Sequence, residues 1–150
     1  MSKNLAIYYG TMTGNAELLA QRAQDAATGA GWSVQLHNLA DTKPDDLTAN
    51  AQTALFVVST WGDGEPPADA EDFFAALSSE TPSVGSLRYT VFGLGDSDYE
   101  QFNGFAKHLD ARLAELGAHT FLARGEADRD FEEAFAAWEP SFLEALNGLA

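Results

Sequence analysis

The residues best suited to chemistry stand in three turns, each following a short apolar run. The first, Gly10-Thr11-Met12-Thr13-Gly14-Asn15-Ala16-Glu17, is rich in hydroxyls and opens directly into an Ala/Leu-rich stretch. Main-chain N–H groups at the start of a helix, helped by its dipole, donate to anions, and the Thr11 and Thr13 hydroxyls add to them. The turn lacks the lysine of a nucleotide-triphosphate loop and has no G-x-G-x-x-G, so a terminal phosphate monoester suits it better than a triphosphate or a dinucleotide pyrophosphate. Threonine and asparagine also cap helices with no ligand involved, and from this turn alone that reading stays open.

The second turn, Ser59-Thr60-Trp61-Gly62-Asp63-Gly64-Glu65-Pro66-Pro67, sets a tryptophan among residues that favour tight turns. Its indole could stack on a planar ligand while Gly62 and Gly64 let the backbone approach closely; equally, it could cover the end of the core. The third, Gly93-Leu94-Gly95-Asp96-Ser97-Asp98-Tyr99-Glu100-Gln101-Phe102-Asn103, again places two glycines before an aromatic. Two aromatic-bearing loops at neighbouring strand ends can act as jaws around one flat ring.

The elements that must position these turns are legible as alternation. Apolar, Val/Ile/Tyr/Phe-rich runs at 5–9, 54–59 and 88–94 predict strands, and a run with polar alternation at 34–39 predicts an edge strand. A fifth strand is expected at 120–123. Helical spacing predicts helices over 16–27, 68–77, 103–116 and 130–146, with a short one at 44–47, and Gly29 and Gly117 as stops. Pro140 lies inside the last of them, where a kink or break is expected. Strands alternating with helices imply an α/β, doubly wound, five-stranded parallel sheet of order 2-1-3-4-5, with ligands beyond the C-terminal ends of the strands.

No linker or repeat divides the 150 residues, so a single domain over 1–150 is expected. An apolar share of 45% with 17 aromatic residues fits a soluble globular protein. No run approaches the roughly 18 apolar residues of a membrane span, and the start has no cationic, apolar leader, which favours the cytoplasm. The absence of cysteine removes disulfides, thiolate metal sites and cysteine nucleophiles, and His37, His108 and His119 show no ligand spacing. A net charge of −15 disfavours nucleic acid and anionic membranes and favours cationic partners.

Together the stretches 11–17, 59–66 and 92–103 resemble the three FMN-binding loops of flavodoxins. They are most similar to the flavodoxin domains of diflavin reductases, such as cytochrome P450 reductase and sulfite reductase, and to small MioC-type flavodoxins. The resemblance covers the whole chain, down to Trp138 in the last helix. It implies that Thr11, Thr13, Gly14 and Asn15, with Met12 between them, hold the FMN phosphate. Trp61 and Tyr99 would flank the isoalloxazine, with Tyr99 coplanar, in a pocket to which Thr60, Gly62 and Gly64 also belong. The Gly62 carbonyl would turn toward flavin N5–H on reduction. Leu94, Gly95 and Asp96 would line the pyrimidine edge, and Phe102 and Asn103 would close the pocket. Met12 and Asp96 depart from the glutamine and asparagine common in the reductase domains, which touches redox tuning rather than binding. The long insertion of some flavodoxins is absent between Thr120 and Asp130, as in a short-chain type.

Of the 23 acidic residues, 13 cluster in or beside the expected ligand end: Asp63, Glu65, Asp69, Glu71, Asp72, Asp96, Asp98, Glu100, Glu126, Asp128, Asp130, Glu132 and Glu133. A solvated surface is one reading and a docking face the favoured one; no EF-hand order supports a metal site. The leading function is an electron-transfer protein that cycles its FMN through the semiquinone and has no substrate turnover of its own. It would be a monomer, receiving electrons from a separate NAD(P)H-dependent flavoprotein reductase and passing them to a basic redox protein. The alternatives are a flavodoxin-like NAD(P)H:quinone reductase and the excised FMN domain of a diflavin reductase. A signalling receiver domain is discarded, because Tyr8-Tyr9-Gly10 and Ser59-Thr60-Trp61 stand where its acids would.

Overall fold

The computed structural model describes residues 3–11, 14–60, 64–95 and 103–149. Four strands carry the frame: β1 (Asn4–Gly10), β2 (Ser33–Asn38), β3 (Thr53–Ser59) and β4 (Arg88–Leu94). All pair in parallel, and the sheet order is 2-1-3-4-5, as the alternation of runs implies. β3 is buried along its length except at Ser59, as a central strand covered on both faces must be. β2, with only β1 beside it, is the half-exposed edge.

The helices are α1 (Asn15–Gly29), the short α2 (Asp46–Asn50), α3 (Glu71–Ser79), α4 (Gly104–Glu115) and α5 (Phe131–Asn147). Strand side chains alternate between two cores. Leu5, Ile7, Leu55 and Val57 face α1 and α5, packing on Leu19, Ala23, Phe135, Phe142 and Leu146. Ala6, Tyr8, Phe56 and Val58 face the other way, onto Phe73 and Leu77 of α3 and Phe105, Leu109 and Leu113 of α4. Gly117 stops α4 with φ +96, and the following N–H returns to Leu113. At α1 the same closure is made by Gly31 rather than Gly29: φ is +95 and Trp32 N donates to Ala27 O at 3.0 Å.

The fifth strand departs from expectation. In place of a strand at 120–123 there are two, β5 (His119–Thr120) and β6 (Gly125–Ala127), both paired with β4. Between the pairs Tyr89↔Thr120 and Phe92↔Gly125, four residues of the edge run against two of β4, so the edge bulges. Phe121 N still donates to Tyr89 O at 3.0 Å, but the Phe121 and Leu122 side chains pack on the α5 side of the core where regular pairing has lapsed. The expected break at Pro140 is also absent, as α5 runs through it. Pro140 and Ala136 are both exposed, so water can satisfy the Ala136 carbonyl that proline leaves without a donor.

A polar clasp braces the bulge. Arg124 binds Asp110 of α4 through Nη1 and Glu126 of β6 through Nε at 2.8 Å. The buried Tyr89 hydroxyl donates to Asp110 Oδ1 at 2.6 Å. Burial, then the Asp110 hydrogen bond and charge, push the Tyr89 phenol above its usual value of 10. The folded state therefore holds this proton more tightly than the unfolded chain. Its contribution is complete below pH 10 and is lost as pH rises beyond it, by up to about 1.4 kcal/mol per pH unit. Urea melts between pH 8 and 11.5 should show this alkaline loss, and Tyr89→Phe should flatten it.

Candidate functional site

Because β1, β3 and β4 are parallel, the connections that leave their C-terminal ends converge at one end of the sheet. At the end of β1, Gly10 is crowded by the connections after β3 and β2: an added Cβ would lie 3.1 Å from Ala70 Cβ and 3.3 Å from Leu39 Cδ1. Thr11, Gly14, Asn15, Thr60, Gly64, Leu94, Gly95 and Asn103 all stand at this end. Met12, Thr13, Trp61, Gly62, Asp96, Tyr99 and Phe102 lie outside the described residues.

The first connection is shaped for an anion. Gly14 occupies the N-cap of α1 with φ +90, a conformation that suits glycine and leaves no side chain to close the first turn. The first-turn N–H groups, which no helical carbonyl reaches and the Gly14 N-cap does not close, suit donation to an anion. Gly14 N donates to Thr11 Oγ1 at 2.8 Å, so the hydroxyl is used as an acceptor and keeps its proton to donate. No lysine or arginine stands between Gly10 and Glu17, so charge neutralisation falls to main-chain dipoles. This donor set fits a phosphate monoester, and the end of the cradle is firmly placed, since Ala16 is fully buried.

Acidic groups set one limit of the cradle, and sequence reasoning gave them no role in it. Asp69, placed by a 3-10 turn at Ala68–Ala70, accepts from Thr11 N at 3.4 Å. The two residues are 58 positions apart, and no sequence signal joins them. Beneath them Tyr9 donates to Glu17 Oε2 at 3.3 Å. Burial first, then the charge and hydrogen bond of Glu17, raise the Tyr9 phenol above its usual value, while a hydrogen bond with Asn38 works the other way.

The second and third connections are stitched together at their bases. Thr60 N donates to Leu94 O at 2.9 Å, and Thr60 Oγ1 accepts from Phe105 N at 3.2 Å. Gly64 has φ +101, the left-handed backbone that its place in the second turn called for. Asn103, with φ 53, turns the chain into α4 and is completely buried. Its Nδ2 donates to Ala127 O at 3.2 Å, the same carbonyl that accepts from Gly95 N at 2.8 Å. Thr60, Leu94, Gly95 and Asn103 are thus knit into one floor, while Thr11 and Gly14 form a separate corner whose donors suit an anion.

Of the acids at this end, Glu65, Glu71, Asp72, Asp130, Glu132 and Glu133 are exposed. Glu126 is engaged by Arg124 and Asp69 by Thr11, so neither is a freely solvated charge. Among the described residues no group of His, Asp and Glu could hold a metal ion, and no helix is long and apolar enough to cross a membrane.

Residues 7–138 match the family described as Flavodoxin. The flavoprotein alpha-component of Bacillus subtilis NADPH sulfite reductase is 38% identical over 148 residues, covering 98% of this chain and 24% of that protein. Rabbit NADPH–cytochrome P450 reductase is 34% identical over 151 residues, covering 96% of this chain and 22% of that protein. The chain thus spans about a quarter of the length of these relatives. Among solved structures, a cysteine-to-serine mutant of Pseudomonas aeruginosa flavodoxin superposes with TM-score 0.83 at 29% identity, over 96% of this chain and 99% of that one. A short-chain flavodoxin associated with a non-canonical PDU bacterial microcompartment does so with TM-score 0.83 at 27% identity, over 100% and 99%. With the sheet order and these likenesses in agreement, the chain belongs to the flavodoxin family, and its cofactor is FMN.

Proposed function

We propose that this protein is a one-domain FMN electron carrier that works as a monomer. In this reading it takes electrons from an NAD(P)H-dependent flavoprotein reductase and passes them singly to a basic redox protein. Electron transfer as such follows from the family; the direction of flow and the partners are our reading. The observation that carries it is the Thr11–Gly14 corner at the end of β1, whose donors suit a phosphate, on the strand next to the one that leads into the floor made by Thr60, Gly95 and Asn103. Bound FMN supplies a ring that can accept and release electrons one at a time.

The protein's part is to hold and orient. Thr11 Oγ1, Gly14 and the first-turn N–H groups of α1, from Asn15 onward, suit the phosphate; Met12 and Thr13 complete that loop in sequence. Main-chain groups of Leu94 and Gly95, with Asp96, suit the polar edge of the ring. Trp61 and Tyr99 are assigned to its two faces, Gly62 to N5 and Phe102 to the margin, on their sequence motifs. Two aromatic faces leave little room for a second substrate over the ring, which favours a carrier over a quinone reductase.

A second reading shares the site and differs in the donor. The chain matches segments of reductases that make up about a quarter of their length, which supports electrons arriving from a reductase region joined to the same polypeptide. Addition of a separate reductase and NADPH distinguishes the two, since rapid reduction supports the stand-alone carrier.

Charge makes the acceptor side testable. A net charge of −15 with exposed acids near the flavin end should steer basic proteins onto that face. Exposed charges are screened over about 10 Å at 0.1 M salt. Stopped-flow reduction of cytochrome c by the reduced holoprotein should therefore slow steeply as salt rises. Reversing Glu65, Glu71 and Asp72 to lysine should lower the low-salt rate and flatten the dependence, more than reversing Asp25, Asp41 and Glu80. A rate indifferent to salt would defeat the docking claim.

A further inference from the structure

The buried carboxamide of Asn103 presents an energetic anomaly. Its Oδ1 has no hydrogen-bond partner among the described residues, although the side chain is fully buried. Its backbone adopts φ 53, which glycine would adopt at less cost. A buried acceptor without a donor is unfavourable, so the carboxamide must be favoured there for its other end. That end is the Nδ2–H donated to Ala127 O at 3.2 Å. Exchanging the amide's O and N would set Oδ1 against the Ala127 carbonyl oxygen, so the observed orientation is the one with a bond.

Gly95 shares that carbonyl, with its N–H 2.8 Å from Ala127 O. It also lies face to face with Asn103: a Cβ on Gly95 would sit 2.9 Å from Asn103 N and 3.0 Å from Asn103 Nδ2. On the other side, a Cβ on Gly93 would fall 2.4 Å from Asn103 Oδ1. The carboxamide is therefore clamped between two glycines of the β4 end and tied to β6. Both ends of the β4–α4 connection, Gly95 and Asn103, hang from one carbonyl of the neighbouring strand.

We infer that Asn103 is a positioning residue for the ring of the flavin. It acts through Gly95 and the shared Ala127 carbonyl rather than by touching the ligand. The inference rests on the electron-carrier reading, which places the ring edge at Leu94 and Gly95. A residue that fixes the ring edge matters equally to FMN and riboflavin, because both carry the same ring. A residue of the phosphate corner matters to FMN alone.

The test is titration of flavin-free wild type, N103G and N103D with FMN and with riboflavin, together with hydrogen exchange at the Gly95 amide. N103G keeps the left-handed backbone and removes the whole side chain, carboxamide included; N103D puts a carboxylate oxygen where Nδ2 was. N103G should bind both flavins roughly tenfold more weakly, with faster exchange at Gly95, and N103D should lose more. Wild-type affinity for both flavins in N103G overturns the inference, as does a loss confined to FMN. If neither variant folds, the wild type decides: a Gly95 amide protected in flavin-free protein supports the clasp, and an unprotected one overturns it. Wild type that takes up neither flavin overturns the electron-carrier reading instead, and the Gly95 exchange then decides the clasp alone.

Discussion

Gly93→Val is expected to destabilise the flavin-free protein by about 3 kcal/mol or more, at the upper end of overpacking costs. Gly93 stands where β4 is paired on both sides, with Val58 of β3 and Glu126 of β6, so its backbone has no room to retreat. A Cβ there meets Ala106 Cβ at 2.6 Å as well as Asn103 Oδ1 at 2.4 Å. The carboxamide could swing away, but Ala106 is part of α4, and relieving that contact means lifting the helix from the sheet. Valine adds two further methyl groups to the clash. Gly85→Ala is the matched control, because its Cβ would meet nothing within 4 Å. Urea denaturation should show a change within about 0.5 kcal/mol for the control. Comparable midpoints for the two variants would mean that α4 does not press on β4 as described.

Thr11→Val should weaken FMN by about 1.5–3 kcal/mol, roughly 10- to 150-fold, because the lost hydrogen bond is to a charged acceptor. Valine matches threonine in shape and removes only the hydroxyl. That hydroxyl does two things: it accepts from Gly14 N at 2.8 Å, which sets the curvature of the turn, and it offers its proton to the ligand. Riboflavin has no phosphate and should bind Thr11→Val nearly as well as wild type. Fluorescence titration with both flavins separates the outcomes, and equal losses would place Thr11 away from the phosphate.

The sheet was legible because a doubly covered strand such as Leu55-Phe56-Val57-Val58 has almost no other way to be stable. The first and third turns were legible for a related reason: Gly10, Gly93 and Gly95 each stand where a side chain would collide, and such positions admit few residue types. The fifth strand was misplaced because Phe121 and Leu122 owe their apolar character to packing against the α5 side of the core. Composition cannot tell that from strand pairing. Gly125, a residue type that strand interiors disfavour, lies in β6, where Phe92 and Trp138 approach within 2.6 and 2.8 Å of its missing Cβ. At the site, the Ala127 carbonyl and the Thr11 N–H were invisible because main-chain groups are common to every residue. Asp69 was counted among acids of a rim, whereas its carboxylate reaches Thr11 across 58 positions of sequence. Side-chain type marked the corners of the site, and the contacts between them had to come from the fold.

Titration of the flavin-free protein with FMN, riboflavin and FAD, followed by visible absorption and flavin fluorescence, tests the central claim most directly. A cradle built for one terminal phosphate predicts one FMN per chain, riboflavin bound more weakly, and FAD, with its pyrophosphate, weaker than FMN. Failure to take up FMN, or FAD bound as tightly as FMN, would contradict the account.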